Sequence, residues 1–147
     1  MTLYHASRLY HPIGEMLVPM PGYDSRWGMC SFYRILESLK PEGMLSHHQA
    51  VFLCDNMDDL DNAGGIIDFI YAVSPEAVPE RHDMFWSTKI TCLADELGLP
   101  LEQCIQHPDI IAAAHNYWQG IASDMPLWEY LVPKAVVLAL EFSEETQ

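Results

Sequence analysis

The sequence predicts an α+β fold in a single domain covering residues 1–147, and three observations carry that prediction. The stretch Ile66-Ile67-Asp68-Phe69-Ile70-Tyr71-Ala72-Val73 is apolar with one interruption and rich in β-branched and aromatic residues, the pattern of a strand buried on both faces. Strand-like and helix-like segments are mixed without a regular βαβ alternation, which argues against a doubly wound sheet. The chain has 147 residues, half of them hydrophobic, enough for a real core.

The elements follow in order. Thr2 to His5 reads as a short first strand, followed by Ala6-Ser7-Arg8. Ile13 to Pro19 reads as a turn and a short extended segment, and Pro21-Gly22 as a further turn. From Trp27 to Leu39 the residues Phe32, Ile35, Leu36 and Leu39 recur at helical spacing. Ser25 suits the N-cap of that helix, and Pro41 with Gly43 stops it. Ser46-His47-His48-Gln49 reads as a polar loop and Ala50 to Cys54 as a buried strand.

Gly64-Gly65 opens the central strand and Ser74-Pro75 closes it, before a polar turn through Glu80-Arg81-His82-Asp83. That turn is either a solvated loop or a set of ionisable groups delivered by a rigid strand. Ser87 to Leu97 reads as a helix ended by Gly98 and Pro100, and Leu101 to Gln106 as one or two further turns. Pro108-Asp109 opens a helix over Ile110–Gln119, with Ile111, Ala114, Tyr117 and Trp118 as its apolar face and Gly120 as its stop. Trp128 to Val132, Pro133-Lys134 and Ala135 to Leu140 read as strand, turn and strand, with Glu141 to Gln147 fraying into solvent.

Composition narrows function. Seven Lys and Arg stand against 21 Asp and Glu, a net charge of -14, so direct binding to a phosphate backbone is not expected. The acidity either serves solubility or marks a non-enzymatic binding protein that meets a basic partner, as an inhibitor, an antitoxin or a nucleic-acid mimic would. The four cysteines form no C-x-x-C pair, which fits a reducing cytoplasm and offers no zinc cluster. No signal peptide and no membrane-spanning stretch is expected. Asp55, Asp58, Asp59 and Asp61 invite a calcium-loop reading, but the mid-loop glycine and terminal glutamate of an EF-hand are missing, so capping and a solvated turn are the expected roles. A metal enzyme using His47, His48, His82 and the aspartates ranks last, because adjacent strand residues point apart.

Standard phosphate-loop, dinucleotide, zinc-protease and nucleophile-elbow motifs are absent. What remains is dispersed: His5 on the first strand, Phe52 on the second, Arg81-His82-Asp83, and Glu129 on a late strand. Alternation puts Trp128, Tyr130 and Val132 on one face and Glu129 with Leu131 on the other. A carboxylate among such apolar neighbours either faces solvent on an edge strand or is kept for a purpose.

The order of these pieces resembles the ADP-ribosyltransferase superfamily, and within it the small bacterial rifampin ADP-ribosyltransferases. The carrying stretches are Leu3-Tyr4-His5-Ala6-Ser7, Gly14-Glu15-Met16-Leu17-Val18-Pro19, Val51-Phe52-Leu53-Cys54, Ile70 to Glu76, and Glu129-Tyr130-Leu131-Val132-Pro133. The resemblance implies a split β-sheet sandwich flanked by helices, NAD+ as substrate, cleavage of its nicotinamide–ribose bond, and transfer of ADP-ribose to a protein or small-molecule acceptor, or to water. It implies that His5, with Ala6 and Ser7, holds the ribose, that Phe52 or Tyr71 stacks on nicotinamide, and that His82 lies beside the cofactor. Glu129, with Asp83 behind it, would steady positive charge. Two departures stand out. Phe52 falls where the rifampin enzymes carry a tyrosine, and residues 23–48 form an insertion that they lack.

Overall fold

The computed structural model describes residues 1–20, 31–58 and 68–143. The Pro21-Gly22 turn, the Ser25 cap and helix start at Trp27, Asp59 and Asp61, the Gly64-Gly65 opening with Ile66 and Ile67, and the acidic end from Glu144 lie outside the described residues. The elements are β1 (Leu3–Ser7), β2 (Met16–Leu17), α1 (Ser31–Ser38), a 3-10 turn (His47–Gln49), β3 (Val51–Leu53), β4 (Phe69–Pro75), β5 (Glu80–Asp83), α2 (Phe85–Leu97), α3 (Leu101–Cys104), α4 (Pro108–Trp118), β6 (Trp128–Val132) and β7 (Ala135–Ser143).

The strands form two antiparallel sheets, β1-β4-β7-β2 and β3-β6-β5, so the α+β expectation holds. The sheets touch where Tyr4 of β1 bridges Cys54 just after β3, through backbone bonds of 2.8 and 3.0 Å. β4 lies between β1 and β7, which is why Ile70, Tyr71, Ala72 and Val73 are all buried. Its pairing runs on through Ser74 and Pro75 to Val136 and Ala135. The last residue of a strand tolerates a proline, because the missing N–H breaks no interior rung.

Two expectations about strands change. Glu80 to Asp83 is not a turn but β5, paired rung by rung with β6. Its polar look misleads because its buried side chains are bonded elsewhere, as described below. Glu141 does not start a frayed tail: β7 continues to Ser143, where Phe142 pairs with Ile70 and Ser143 with Phe69.

Two cores result. Leu3, Tyr71, Val73 and Val137 of the first sheet pack against Val51, Leu53, Tyr130 and Val132 of the second. The other core belongs to the helices, with Ile35, Leu36, Ile90, Ala94, Ile110 and Trp118 at its centre. Truncating Leu36 or Ile90 to alanine removes a fully buried side chain and costs about 2–5 kcal/mol. The buried stripe of α4 is Ile110, Ala113, Ala114, Tyr117 and Trp118, the spacing of one helical face. Its centre lies between Ile110 and Ala114, which leaves Ile111, expected on that face, 42% exposed. Ser46-His47-His48-Gln49 is likewise no open loop. Ser46 caps a 3-10 turn, and His47 is buried.

Candidate functional site

The second sheet has two sides, and the side decides what each residue meets. Val51, Leu53, Tyr130 and Val132 face the first sheet. By alternation Phe52, Leu131, Glu129 and His82 face the helices. The pairings Phe52↔Leu131 and His82↔Glu129 keep them on one surface. Arg81, on the opposite side, lies over the Trp128 ring at 3.9 Å.

Glu129 is the second residue of β6 and is part-buried. Tyr117, from the buried stripe of α4, points its phenol at the carboxylate, 3.5 Å from Oε2. Burial pushes the Glu129 carboxyl above the ordinary range, against the pull of His47 and the Tyr117 hydroxyl. The same phenol lies 2.7 Å from His47 Nε2. His47 Nδ1–H donates to Glu37 Oε1 at 2.7 Å, and its backbone N–H donates to the same oxygen at 2.8 Å. Those bonds hold the Glu37 carboxyl below its usual value although burial opposes them. The Phe52 ring is parallel to the His47 ring, centroids 5.9 Å apart and 10° between planes.

His82 braces this arrangement from β5. Its Nδ1–H donates to the Tyr117 carbonyl at 2.7 Å, and its ring lies parallel to the Tyr117 ring at 4.5 Å. Its Nε2 faces Glu80 Oε1 at 3.1 Å. Burial lowers the His82 pKa more than these acceptors raise it. Glu80 is held in turn by the Leu45 backbone N–H at 2.7 Å. Among the described residues no buried side-chain nitrogen or oxygen is left without a partner.

His5 approaches from the other side. It lies between Leu3 and Ser7 on β1, opposite Tyr71, on the side that faces the second sheet. Its Nδ1–H donates to the Phe52 carbonyl at 2.9 Å, and burial lowers its pKa. The imidazole is therefore neutral near pH 7, with the Nε2 lone pair as its acceptor. Ser7 is buried, and its Oγ accepts from the Leu9 N–H at 3.0 Å and contacts His11 Nε2 at 3.3 Å. The other His11 nitrogen meets Glu15. Ala6 points the opposite way, toward Ile70, Cys54 and Phe142.

The structure thus brings Phe52, His82 and Glu129 onto one surface and His5 to the edge of the same strand, β3. It does not bring Tyr71 to Phe52. Tyr71 is in the inter-sheet core, stacked on Phe69, with its hydroxyl between His11 N–H and the Leu9 carbonyl. Asp83 is also elsewhere. It is fully buried, and its carboxylate accepts from the backbone N–H groups of Phe85 at 2.9 Å, Ser123 at 2.7 Å and Leu127 at 2.9 Å. Those bonds lower its pKa despite burial and tie the start of α2 to the loop leading into β6. Among the described residues no group of three or more His, Cys, Asp or Glu is placed to hold a metal ion, and no helix is long and apolar enough to cross a membrane.

Glu37 and the hydroxyl of Tyr117 had no expected role, while His47 was expected only in a polar loop or, ranked last, on a metal, and Glu80 only in a polar turn. Tyr117 carried a usable signal: a tyrosine in a buried stripe needs a partner for its hydroxyl. Nothing in the sequence pointed from it to His47. Comparison of the chain with protein-family models and with curated proteins finds no match.

Proposed function

We propose that this chain cleaves the nicotinamide–ribose bond of NAD+ and transfers ADP-ribose to an acceptor, or to water as a glycohydrolase. The observation that carries the reading is the neighbourhood of β1, β3 and β6. His5 bonds the Phe52 carbonyl across 47 residues of sequence, and β6, which carries Glu129, is the hydrogen-bonded neighbour of β3. Three residues that the superfamily resemblance singles out thus stand on three adjacent strands where two antiparallel sheets meet. That junction also fits the split-sandwich architecture the resemblance implies.

The chemistry suits the residues. As the C–N bond breaks, its electron pair leaves with nicotinamide and positive charge grows on the ribose, as in glycoside cleavage. A carboxylate at Glu129 steadies that charge, and its part-burial strengthens the effect. The Phe52 ring offers an apolar face for nicotinamide. His5 Nε2 accepts from a ribose hydroxyl at the rim of β3, where the two sides of the sheet meet. The test is release of free nicotinamide from NAD+ by the purified chain. Release by the wild type that is lost in Glu129→Gln and reduced in His5→Ala supports the reading. Release unaffected by both substitutions overturns these roles.

A further inference from the structure

Glu129 ends an unbroken line of hydrogen-bonding groups that begins at Glu37. The links are Glu37 Oε1 to His47 Nδ1 at 2.7 Å, His47 Nε2 to the Tyr117 oxygen at 2.7 Å, and that oxygen to Glu129 Oε2 at 3.5 Å. Four separate elements supply them: α1, the 3-10 turn, α4 and β6. We propose that Tyr117 relays a proton between Glu129 and His47, so that Glu129 becomes a carboxylate by passing its proton inward rather than to solvent. This rests on the reading of Glu129 as the charge-stabilising group.

A phenol carries one hydrogen, so the line has two directions. In the first, Tyr117 donates to His47 Nε2, and a protonated Glu129 donates to the Tyr117 oxygen. In the second, His47 is protonated on both nitrogens and donates to the Tyr117 oxygen, and Tyr117 donates to the Glu129 carboxylate. The change breaks the Glu129 O–H and Tyr117 O–H bonds and forms a new Tyr117 O–H and a His47 Nε2–H. No proton enters or leaves. Glu37 favours the second direction, because its carboxylate sits on His47 Nδ1 and stabilises the imidazolium. Burial of Glu129 favours the first. Positive charge developing on the ribose draws the line into the second. After the acceptor oxygen has bonded to the ribose and given up its own proton to solvent, the positive charge is gone and the line reverts: the His47 Nε2 proton goes back to Tyr117 and the Tyr117 proton to Glu129.

Other ionisable groups facing this line are His82 and Glu80 on β5, opposite Glu129 and Leu131, and Tyr33 on α1, whose ring meets the His47 ring at 6.0 Å. His48 follows His47 but turns its ring to Tyr33. Phe52 and Trp118 cover His47 without adding charge.

Tyr117→Phe removes the relaying oxygen and keeps the ring that stacks on His82. The readouts are the carboxyl-carbon NMR titration of Glu129 in the full chain and the pH profile of nicotinamide release. The relay requires the Glu129 midpoint to rise by about one pH unit or more in Tyr117→Phe, since both the donor and the link to the His47 cation are lost. The acidic limb of nicotinamide release should move with it. His47→Gln should give a shift of the same sign, and the double variant no more than the larger single shift. A Glu129 titration unchanged in both single variants overturns the relay, even if NAD+ is cleaved. A shifted titration in a chain that releases no nicotinamide supports the relay and overturns the NAD+ reading instead.

Discussion

Glu129 and His82 face each other across the β5–β6 ladder, yet His82 gives neither ring nitrogen to the carboxylate. Its nitrogens go to the Tyr117 carbonyl and toward Glu80, so His82 fixes the end of α4 and leaves Glu129 to the Tyr117 hydroxyl. A carboxylate with so little hydrogen bonding in a part-buried place is costly to keep charged, and its raised pKa says so.

Glu129→Gln therefore separates function from stability. Nicotinamide release should fall by about 10²-fold or more, since a neutral amide gives little support to positive charge. Stability should not fall with it. A carboxyl whose folded pKa is raised stabilises the fold fully below its unfolded value and loses that contribution as pH rises through the folded value. The glutamine variant should accordingly gain on the wild type between about pH 4.5 and about pH 8, as urea midpoints measured at both would show. A variant that loses ground over that interval would contradict the assignment.

His5 and His82 set the opposite trend. Burial lowers both pKa values, so their contribution is present above the ordinary histidine value of about 6.5 and is lost as pH falls toward the folded values. The unfolding midpoint should drop between about pH 7.5 and about pH 5.5, with a shallower drop in His5→Gln. Equal slopes in the two proteins would show that His5 is not held neutral.

Asp83 should behave as an anchor. Asp83→Asn swaps one accepting oxygen for a donor that faces a backbone N–H, at a cost of about 1–3 kcal/mol. Because the Asp83 pKa is lowered, this loss should be present at neutral pH and shrink as pH falls through the folded value. Nicotinamide release per folded molecule should stay within a few-fold of wild type. A loss of turnover as deep as that of Glu129→Gln would move the chemistry to Asp83.

Gly120 sits at the turn after α4 with φ +69°, and a Cβ there would stand 2.9 Å from the Arg81 carbonyl oxygen. Gly120→Ala combines a left-handed backbone with a backbone clash, so we expect a destabilisation of about 2 kcal/mol or more. The displaced Arg81 adjoins His82, so Glu129 titration should shift as well. A thermal midpoint equal to wild type would show that the turn has room.

Much of the fold was legible because burial leaves a period. Ile70 to Val73 reads as an apolar run because β1 and β7 flank it, and Ile35 with Leu36 reads as a helix face because α2 and α4 cover it. Polar residues that bury themselves in pairs leave no such period. Glu80 to Asp83 looked like a turn for that reason, although His82 and Asp83 are fully buried. The candidate site divided the same way. His5, Phe52 and Glu129 were visible from local patterns, whereas His47 and Glu37 meet only through tertiary packing. Their opposite placement, with His5 on one side of β3 and the Phe52 ring on the other, follows from sheet geometry that no local pattern encodes.

The most direct test is calorimetric titration of the purified full chain with NAD+, run beside an assay for free nicotinamide. We expect saturable binding, nicotinamide release that depends on Glu129, and loss of that release in Glu129→Gln with binding retained. Absence of both binding and release at about millimolar NAD+ would contradict the NAD+ reading.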